Sequence, residues 1–352
     1  MADAPSPDLQ TKVPAPQLPP VHQALFVQPA FIGDVILFTG LIETWHKAWP
    51  LAAIDVLVRK GNEALFEGHP FIREVRVWDK SGARYRHLFR LSRTLRRVGY
   101  EVVVNPHRFA SSGWLTFRSK SRIRCGFKSN PLSIFYTHSI RHSLEEGVHE
   151  VERNHALIAP FCNERMAPKL YPTALDQVPQ EMQGAIVLAP ASQWGTKQWL
   201  PEKWVGLIHA LGKSAPQQPV VLMGGPGDAP LLQNIRQRAG MHPKLSLTPP
   251  SATLAFASAL VAHSKCVVSN DSAPLHFASA LGRKAVAVYC STVPEFGFGP
   301  LTPGSLVVQS EDPLTCRPCG LHGHKKCPEG HFDCARTIEI DRVHKAVIQV
   351  IS

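Results

Sequence analysis

CVVSNDSAPLHFASALGRKAVAVYCS, residues 266–291, is the stretch that decides the fold. It reads as strand, loop, helix, strand. Residues 266–269 are a short apolar run, and Asn270, Asp271 and Ser272 are polar and suited to a cap. Pro274 falls in the first turn of the following helix, where its missing N–H costs nothing. Leu275, Phe277, Ala278 and Leu281 mark the apolar face of that helix, Gly282 stops it, and residues 285–290 make the next strand. In open α/β sheets such a polar loop lies beyond the carboxyl end of its strand. It receives ligands there, and the helix start offers free N–H groups to an anion. Asp271, Ser272 and His276 gather at this point, Ser272 and His276 four residues apart on one helix face. Singly, each reads as a cap or a satisfied core residue; together at one strand end they read as a site.

The same alternation extends in both directions. Residues 24–28 read as a first strand, followed by the loop Pro29-Ala30-Phe31-Ile32-Gly33-Asp34 and an amphipathic helix over 35–49 closed by Pro50. Further strands are expected at 54–58, 75–78, 102–105 and 123–127, the last ending the series. After a polar, proline-containing stretch at 163–183 the pattern restarts, with strands at 185–189, 220–223, 267–269, 285–289 and 306–308. Strands alternating with helical segments make βαβ units and parallel sheets. The expected fold is α/β, with an N-terminal domain over 21–172 and a C-terminal one over 173–352. A last helix, 341–351, packs on one domain or crosses back to the other. Residues 1–20 carry six prolines and read as a disordered tail.

A chain of 352 residues holds two domains of ordinary size. No apolar run approaches a membrane span, and residues 21–27 are too short and too polar-flanked for a signal peptide. A cytosolic protein with reduced cysteines is the expectation. The net charge of +11 suits an anionic partner: nucleic acid, acidic lipid or a phosphorylated small molecule.

Several constellations carry chemistry. Gly33 lets the backbone approach something closely after the first strand, and Asp34 opens a helix, as an N-cap or as a carboxylate facing a cleft. Residues 188–201, LAPASQWGTKQWLP, follow the first strand of the second half. Ser192, Thr196 and Lys197 are what a diphosphate requires: hydroxyl and N–H donors, and an ammonium against growing negative charge. The order is not a Walker loop, and Trp199 reads as packing. Met223-Gly224-Gly225-Pro226-Gly227-Asp228 is a glycine-rich turn after a strand, with Asp228 placed for a ribose or phosphate. His149-Glu150 lacks a second histidine at zinc-protease spacing, so residues 148–154 read as a charged helix start. The basic run Lys80, Arg84, Arg86, Arg90, Arg93, Arg96 and Arg97 reads as a solvated helix face, or else as a contact for an acidic acceptor at a membrane surface. Arg108, at a strand end, is the better candidate for a direct acceptor contact. Cys316, Cys319, Cys327 and Cys334 are close enough in sequence for a structural zinc. Only the first pair has Cys-x-x-Cys spacing, so reduced packing thiols are the base reading.

These motifs carry a resemblance. Asp271-Ser272-Ala273-Pro274-Leu275-His276 resembles the Asp-(Ser/Thr)-Gly-x-x-His signature of glycosyltransferase family 9, the bacterial lipopolysaccharide heptosyltransferases, with Ala273 in place of the usual glycine. The loop from Ser192 is similar to the family's Ser-x-x-x-Thr-Lys-x-Trp-Pro motif, with Leu200 between Trp199 and Pro201. Ile32-Gly33-Asp34 matches its Ile-Gly-Asp. The resemblance covers residues 24–338, in the right order through both halves. It implies a GT-B architecture, two Rossmann-like domains facing across a cleft. It further implies inverting, metal-independent transfer of a heptosyl group from ADP-heptose to the inner core of lipopolysaccharide on lipid A. Donor would sit on the second domain and acceptor on the first. Asp34 would be the general base. Lys197, Ser192, Thr196 and the helix start at Ser272 and Ala273 would stabilise departing ADP. Asp271 and His276 would hold donor sugar or diphosphate, Asp228 the nucleotide ribose, and Arg108 the acceptor. No cofactor and no nucleic acid would take part, and the enzyme would work in the cytoplasm at the inner face of the inner membrane. The rival readings are another sugar nucleotide on the same fold, a sugar-nucleotide epimerase, and a zinc-containing nucleic-acid-binding protein.

Overall fold

The computed structural model describes residues 20–82, 84–144, 147–240 and 244–352. The expected tail, residues 1–20, lies outside them apart from Pro20. The first half runs β1 (Gln23–Gln28), α1 (Ile32–Ala48), β2 (Ala53–Arg59), β3 (Ile72–Trp78), α2 (Arg84–Val98), β4 (Val102–Asn105), α3 (Ala110–Arg118), β5 (Ile123–Phe127), β6 (His138–Ile140) and α4 (Glu150–Ala156). The second half runs β7 (Ile186–Ala189), α5 (Pro201–Ser214), β8 (Val220–Leu222), α6 (Ala229–Ala239), β9 (Leu245–Leu247), α7 (Leu254–His263), β10 (Cys266–Asn270), α8 (Ala273–Ala280), β11 (Ala285–Tyr289), β12 (Leu306–Gln309), α9 (Asp333–Arg336) and α10 (Ile340–Ile351).

Each half builds one six-stranded sheet, ordered β3-β2-β1-β4-β5-β6 and β12-β11-β10-β7-β8-β9. All ten strand pairings are parallel. Counted within its own half, each sheet has the doubly wound order 3-2-1-4-5-6, which reverses between β1 and β4 and again between β7 and β10. The architecture is the expected one: two Rossmann-like α/β units. Central strands are apolar on both faces because helices cover both, so they read as continuous β-branched runs such as Val102-Val103-Val104.

Burial falls into three layers. Leu25, Val27 and Leu57 of the first sheet pack under Leu88, Leu91 and Leu95 of α2. Ile186, Val220 and Val286 of the second sheet pack under Trp204, Ile235 and Val347. Between the sheets lies one continuous apolar layer containing Phe26, Trp45, Val187, Leu260 and Tyr289. Helix α1 packs directly on α8 there. The segment joining the halves straps both. Met166 and Lys169 donate backbone N–H groups to Thr44 and Thr39 of α1 (both 2.9 Å), and Leu170 donates to Ala280 O of α8 (3.3 Å).

Two expectations change, and the alternatives for the last helix reduce to one. Helix α1 starts at Ile32, not at residue 35, so Asp34 sits within the first turn and Phe31 occupies the cap position. The first series does not end at residue 127: β6 adds a sixth strand, and β9 does the same for the second sheet. Each is three residues long and sits at a sheet edge, where brief pairing suffices and no apolar run announces it. Helix α10 stays with the second half, packed against α5, β11 and β12.

Candidate active site

The carboxyl ends of both sheets point toward the same seam, and there the first turns of α1 and α8 meet. Gly33 is the point of contact. A Cβ at this position would stand 2.8 Å from His276 Cδ2 and 3.9 Å from Ala273 Cα. A side chain at residue 33 would have to displace the His276 ring, while the α8 backbone at Ala273 stays at ordinary contact distance.

Asp34 follows on the same turn. Its carboxylate accepts the Phe31 backbone N–H, but burial pushes its pKa up to about 6, helped by the negative charge of Glu150. The Phe31 hydrogen bond and the cations Arg108 and Lys197 hold the rise in check. A carboxyl with a pKa near neutrality is matched to proton transfer. Arg108 is exposed just past β4, and its positive charge acts on Asp34.

From the second half, Lys197 Nζ lies 2.5 Å from Asp271 Oδ2, and Thr292 Oγ1 donates to that same oxygen at 2.7 Å. Both partners of the ion pair are largely buried. Asn270 braces the arrangement, accepting from Trp199 N–H (3.0 Å) and donating to Pro190 O (2.8 Å), so the loop after β7 is tied to the end of β10. Trp199 is 1% exposed and packs edge-on against Trp204, a core role as expected. His276 is buried, and burial depresses its pKa to about 4, so the ring is neutral at pH 7. Among the described residues its Nδ1 has no hydrogen-bond partner. Ser272 occupies the cap position of α8 without capping; its hydroxyl lies 3.1 Å from that of Ser269. Ala273 opens the helix behind it.

Two expected ligand contacts are engaged elsewhere. Thr196 Oγ1 donates to His324 O (3.0 Å) and accepts from His324 N–H (2.7 Å) and Ser291 Oγ (3.1 Å). It fastens the cysteine-rich segment over the loop, and Gly323 is needed there because a Cβ would stand 2.7 Å from Thr196 Oγ1. Asp228 accepts Gly225 N–H at 2.8 Å and closes its own turn. Ser192 is spent partly on local geometry, its carbonyl accepting from Gln198 Nε2 at 2.8 Å.

Residues 148–154 are more than a charged helix start. His149 caps α4 through Nδ1 and Val151 N–H (3.2 Å), while its Nε2 meets Gly299 O at 3.1 Å. Glu150 is buried, and its N–H donates to Gly297 O at 2.8 Å. Burial would raise its pKa, but His142 and Arg153 (3.2 and 2.8 Å) outweigh that and hold it down. Arg153 also donates to Val148 O and to Phe296 O. The segment is therefore a buried polar joint between the halves, beside Asp34. Its only sequence signal was a dense run of His, Glu and Arg before the linker.

Cys316, Cys319, Cys327 and Cys334 share the lining of one cavity of about 230 Å³ with His331. All eight cysteines are free, and Cys316 Sγ lies 3.9 Å from His331 Nε2. Among the described residues no three His, Cys, Asp or Glu groups stand close enough to hold an ion. Arg317 pins this segment to Cys290 O (2.7 Å) and Thr292 O (2.8 Å), next to the Asp271 pair.

The family model described as glycosyltransferase family 9 (heptosyltransferase) matches residues 88–330. A lipopolysaccharide heptosyltransferase 3 of Escherichia coli is 25% identical over 285 residues, 74% of this chain and 82% of the relative. The solved structure of E. coli ADP-heptose lipopolysaccharide heptosyltransferase II superposes with a TM-score of 0.76 at 20% identity, covering 94% of this chain and 98% of that one. A family 9 glycosyltransferase of Veillonella parvula superposes with a TM-score of 0.78 at 20% identity, covering 94% and 97%.

Proposed function

This chain belongs to glycosyltransferase family 9, the heptosyltransferases, and from that premise we propose that it transfers a heptosyl group from ADP-heptose to the inner core of lipopolysaccharide, with inversion. The curated relative is named for lipopolysaccharide, and one solved neighbour for ADP-heptose as well. The observation that carries the reading is the meeting of the two helix starts. A carboxyl tuned to about 6 on α1 faces, across Gly33, a lysine–aspartate pair and a helix N-terminus from the second half.

In this reading the acceptor hydroxyl oxygen attacks the anomeric carbon and its proton passes to the Asp34 carboxylate. The bond from the anomeric carbon to the diphosphate oxygen breaks, and ADP leaves with the electron pair. Lys197 and the free N–H groups at Ser272 and Ala273 stabilise the charge that grows on that oxygen. Asp271 holds Lys197 in place for this role, and the neutral His276 ring offers its unpartnered Nδ1 to donor sugar or phosphate. Ser192 completes the diphosphate loop and Arg108 meets the anionic acceptor, while Asp228 could reach the ribose only by giving up the Gly225 N–H that closes its own turn. Thr196 acts through position, holding the loop under the segment from Cys316. The protein's own groups supply the cationic charge the reaction needs. An acceptor built on lipid A places the enzyme at the inner face of the inner membrane.

The test is ADP release from the purified protein with ADP-heptose, with and without heptose-deficient lipopolysaccharide. Acceptor-dependent release that collapses in Asp34→Asn while donor binding survives is the expected result. Release without acceptor, or an undiminished rate in the variant, would sink the reading.

A further inference from the structure

The positive charge is not spread over the molecule. Residues 80–128 contain thirteen lysines and arginines and a single acid, Glu101; the remaining residues carry 25 basic and 26 acidic side chains. The whole net charge of +11 thus comes from one stretch of the first half. Helix α2 is its centre. It has no acidic residue, and it buries Leu88, Leu91 and Leu95 against the sheet while Arg86, Arg90, Arg93, Arg96 and Arg97 stay exposed. Among the described residues none of these five arginines lies within ion-pair distance of an acidic side chain.

Large aromatic rings stand out among these cations. Tyr85 is 61% exposed, Phe89 54% and Phe109 66%. Phe89 meets Trp114 of α3 edge-on at 5.0 Å, Arg118 lies over the Trp114 ring, and Lys120 over Phe117. The patch adjoins the site: Phe109, at the cap position of α3, follows Arg108, whose charge reaches Asp34.

We propose that the face of α2 and α3 docks on an anionic phospholipid bilayer and so brings the acceptor side of the cleft to a lipid-anchored substrate. This rests on the proposed function for the substrate, but not for the binding itself. Arginines whose charge no acid neutralises attract a negative surface, and exposed rings beside them enter the headgroup layer. A surface that served solubility alone would carry both signs of charge and would keep such rings covered.

The experiment is cosedimentation of the full chain with vesicles of phosphatidylglycerol and phosphatidylcholine, against phosphatidylcholine alone, with neither donor nor acceptor present. Binding to the anionic vesicles only, weakening with salt, is expected. Arg90→Glu with Arg93→Glu reverses two charges on the exposed face and should weaken binding by tenfold or more, since each such charge is worth roughly fivefold. Phe89→Ser should weaken it with little change in the salt slope. Both variants should release ADP normally with a delipidated, soluble core acceptor, which also reports that they are folded. Equal binding to neutral vesicles, indifference to the double reversal, or binding to duplex DNA without vesicle binding would each overturn the proposal. Loss of transfer chemistry with intact vesicle binding would instead strike the proposed function and leave the docking face standing.

Discussion

The two halves have the same strand order, the same parallel pairing and helices on both faces, yet their ligand-facing ends are built in opposite ways. The second half is wired in advance: Lys197, Asp271 and Thr292 form one buried hydrogen-bonded set, and Asn270 clamps the loop that carries Lys197. Among the described residues the first half presents Asp34 with a single backbone donor and no side-chain hydrogen-bond partner, plus an exposed Arg108. A half that binds a nucleotide diphosphate gains from donors fixed before the ligand arrives, because no reorganisation is then needed as charge develops. A half that must take a proton needs a carboxyl left unsatisfied, so that its pKa stays near neutrality. Under the proposed function, one scaffold would support both tasks by changing only the residues at its strand ends.

The largest expected effect breaks the comparison if it fails. Asp34→Asn should cut transfer by about 10³-fold, within the usual span for a lost acid–base group, and leave ADP-heptose affinity unchanged. A matching loss of donor affinity would mean that the halves do not divide the work. Lys197→Ala should cut transfer by roughly 10²-fold and weaken donor binding too. It also leaves Asp271 buried with only Thr292, so a fall in stability of about 3 kcal/mol should accompany it in thermal or denaturant unfolding.

The pH profile sharpens the same contrast. Transfer should rise with pH through about 6 as Asp34 ionises, and this limb should vanish from the residual activity of Asp34→Asn. Because the folded pKa lies above the ordinary 3.8, the stabilising contribution of the protonated carboxyl is complete below pH 3.8 and is lost as pH rises through 6. Asp34→Asn should therefore be more stable than the wild type at pH 8, by roughly 1 kcal/mol for a partly open group, with the gap closing near pH 4. Equal stability at both pH values would remove the desolvated carboxyl from the account.

Gly33→Ala tests the contact between the halves. The added methyl meets the His276 ring at 2.8 Å, so a loss of about 1–3 kcal/mol is expected, and much of it should return in Gly33→Ala with His276→Ala. Thr196→Val should have the smallest effect, about 1 kcal/mol, through the lost hydrogen bonds to His324 and Ser291. A large loss of donor affinity in Thr196→Val would show instead that its hydroxyl leaves His324 for the ligand.

Much of the molecule was legible before any coordinates. Alternating apolar runs and polar strand-end loops are local signals. They placed ten of the twelve strands among the described residues, the seam, and the residues 33, 34, 197, 271 and 276 that meet there. What stayed hidden was whatever lacks a local signal. The edge strands β6 and β9 are three residues each and exist because a neighbour offers free backbone groups. His149, Glu150 and Arg153 looked like an ordinary helix start because their partners Gly299, Gly297 and Phe296 are more than 140 residues away.

Sequence by itself determined the fold class, the two α/β halves and several of the groups that meet at the seam, because periodicity, turn chemistry and residue type are properties of short stretches. Tertiary structure alone decided what each group does with its hydrogen bonds. It gave Thr196 to His324, Asp228 to its own turn and Asp271 to Lys197, and it left Asp34 and the Nδ1 of His276 unpaired by side chains. The physical reason is that a polar group's character depends on what surrounds it after the chain is packed. Burial and the nearest charges, contributed by segments far apart in sequence, set whether a carboxyl is a brace or a base.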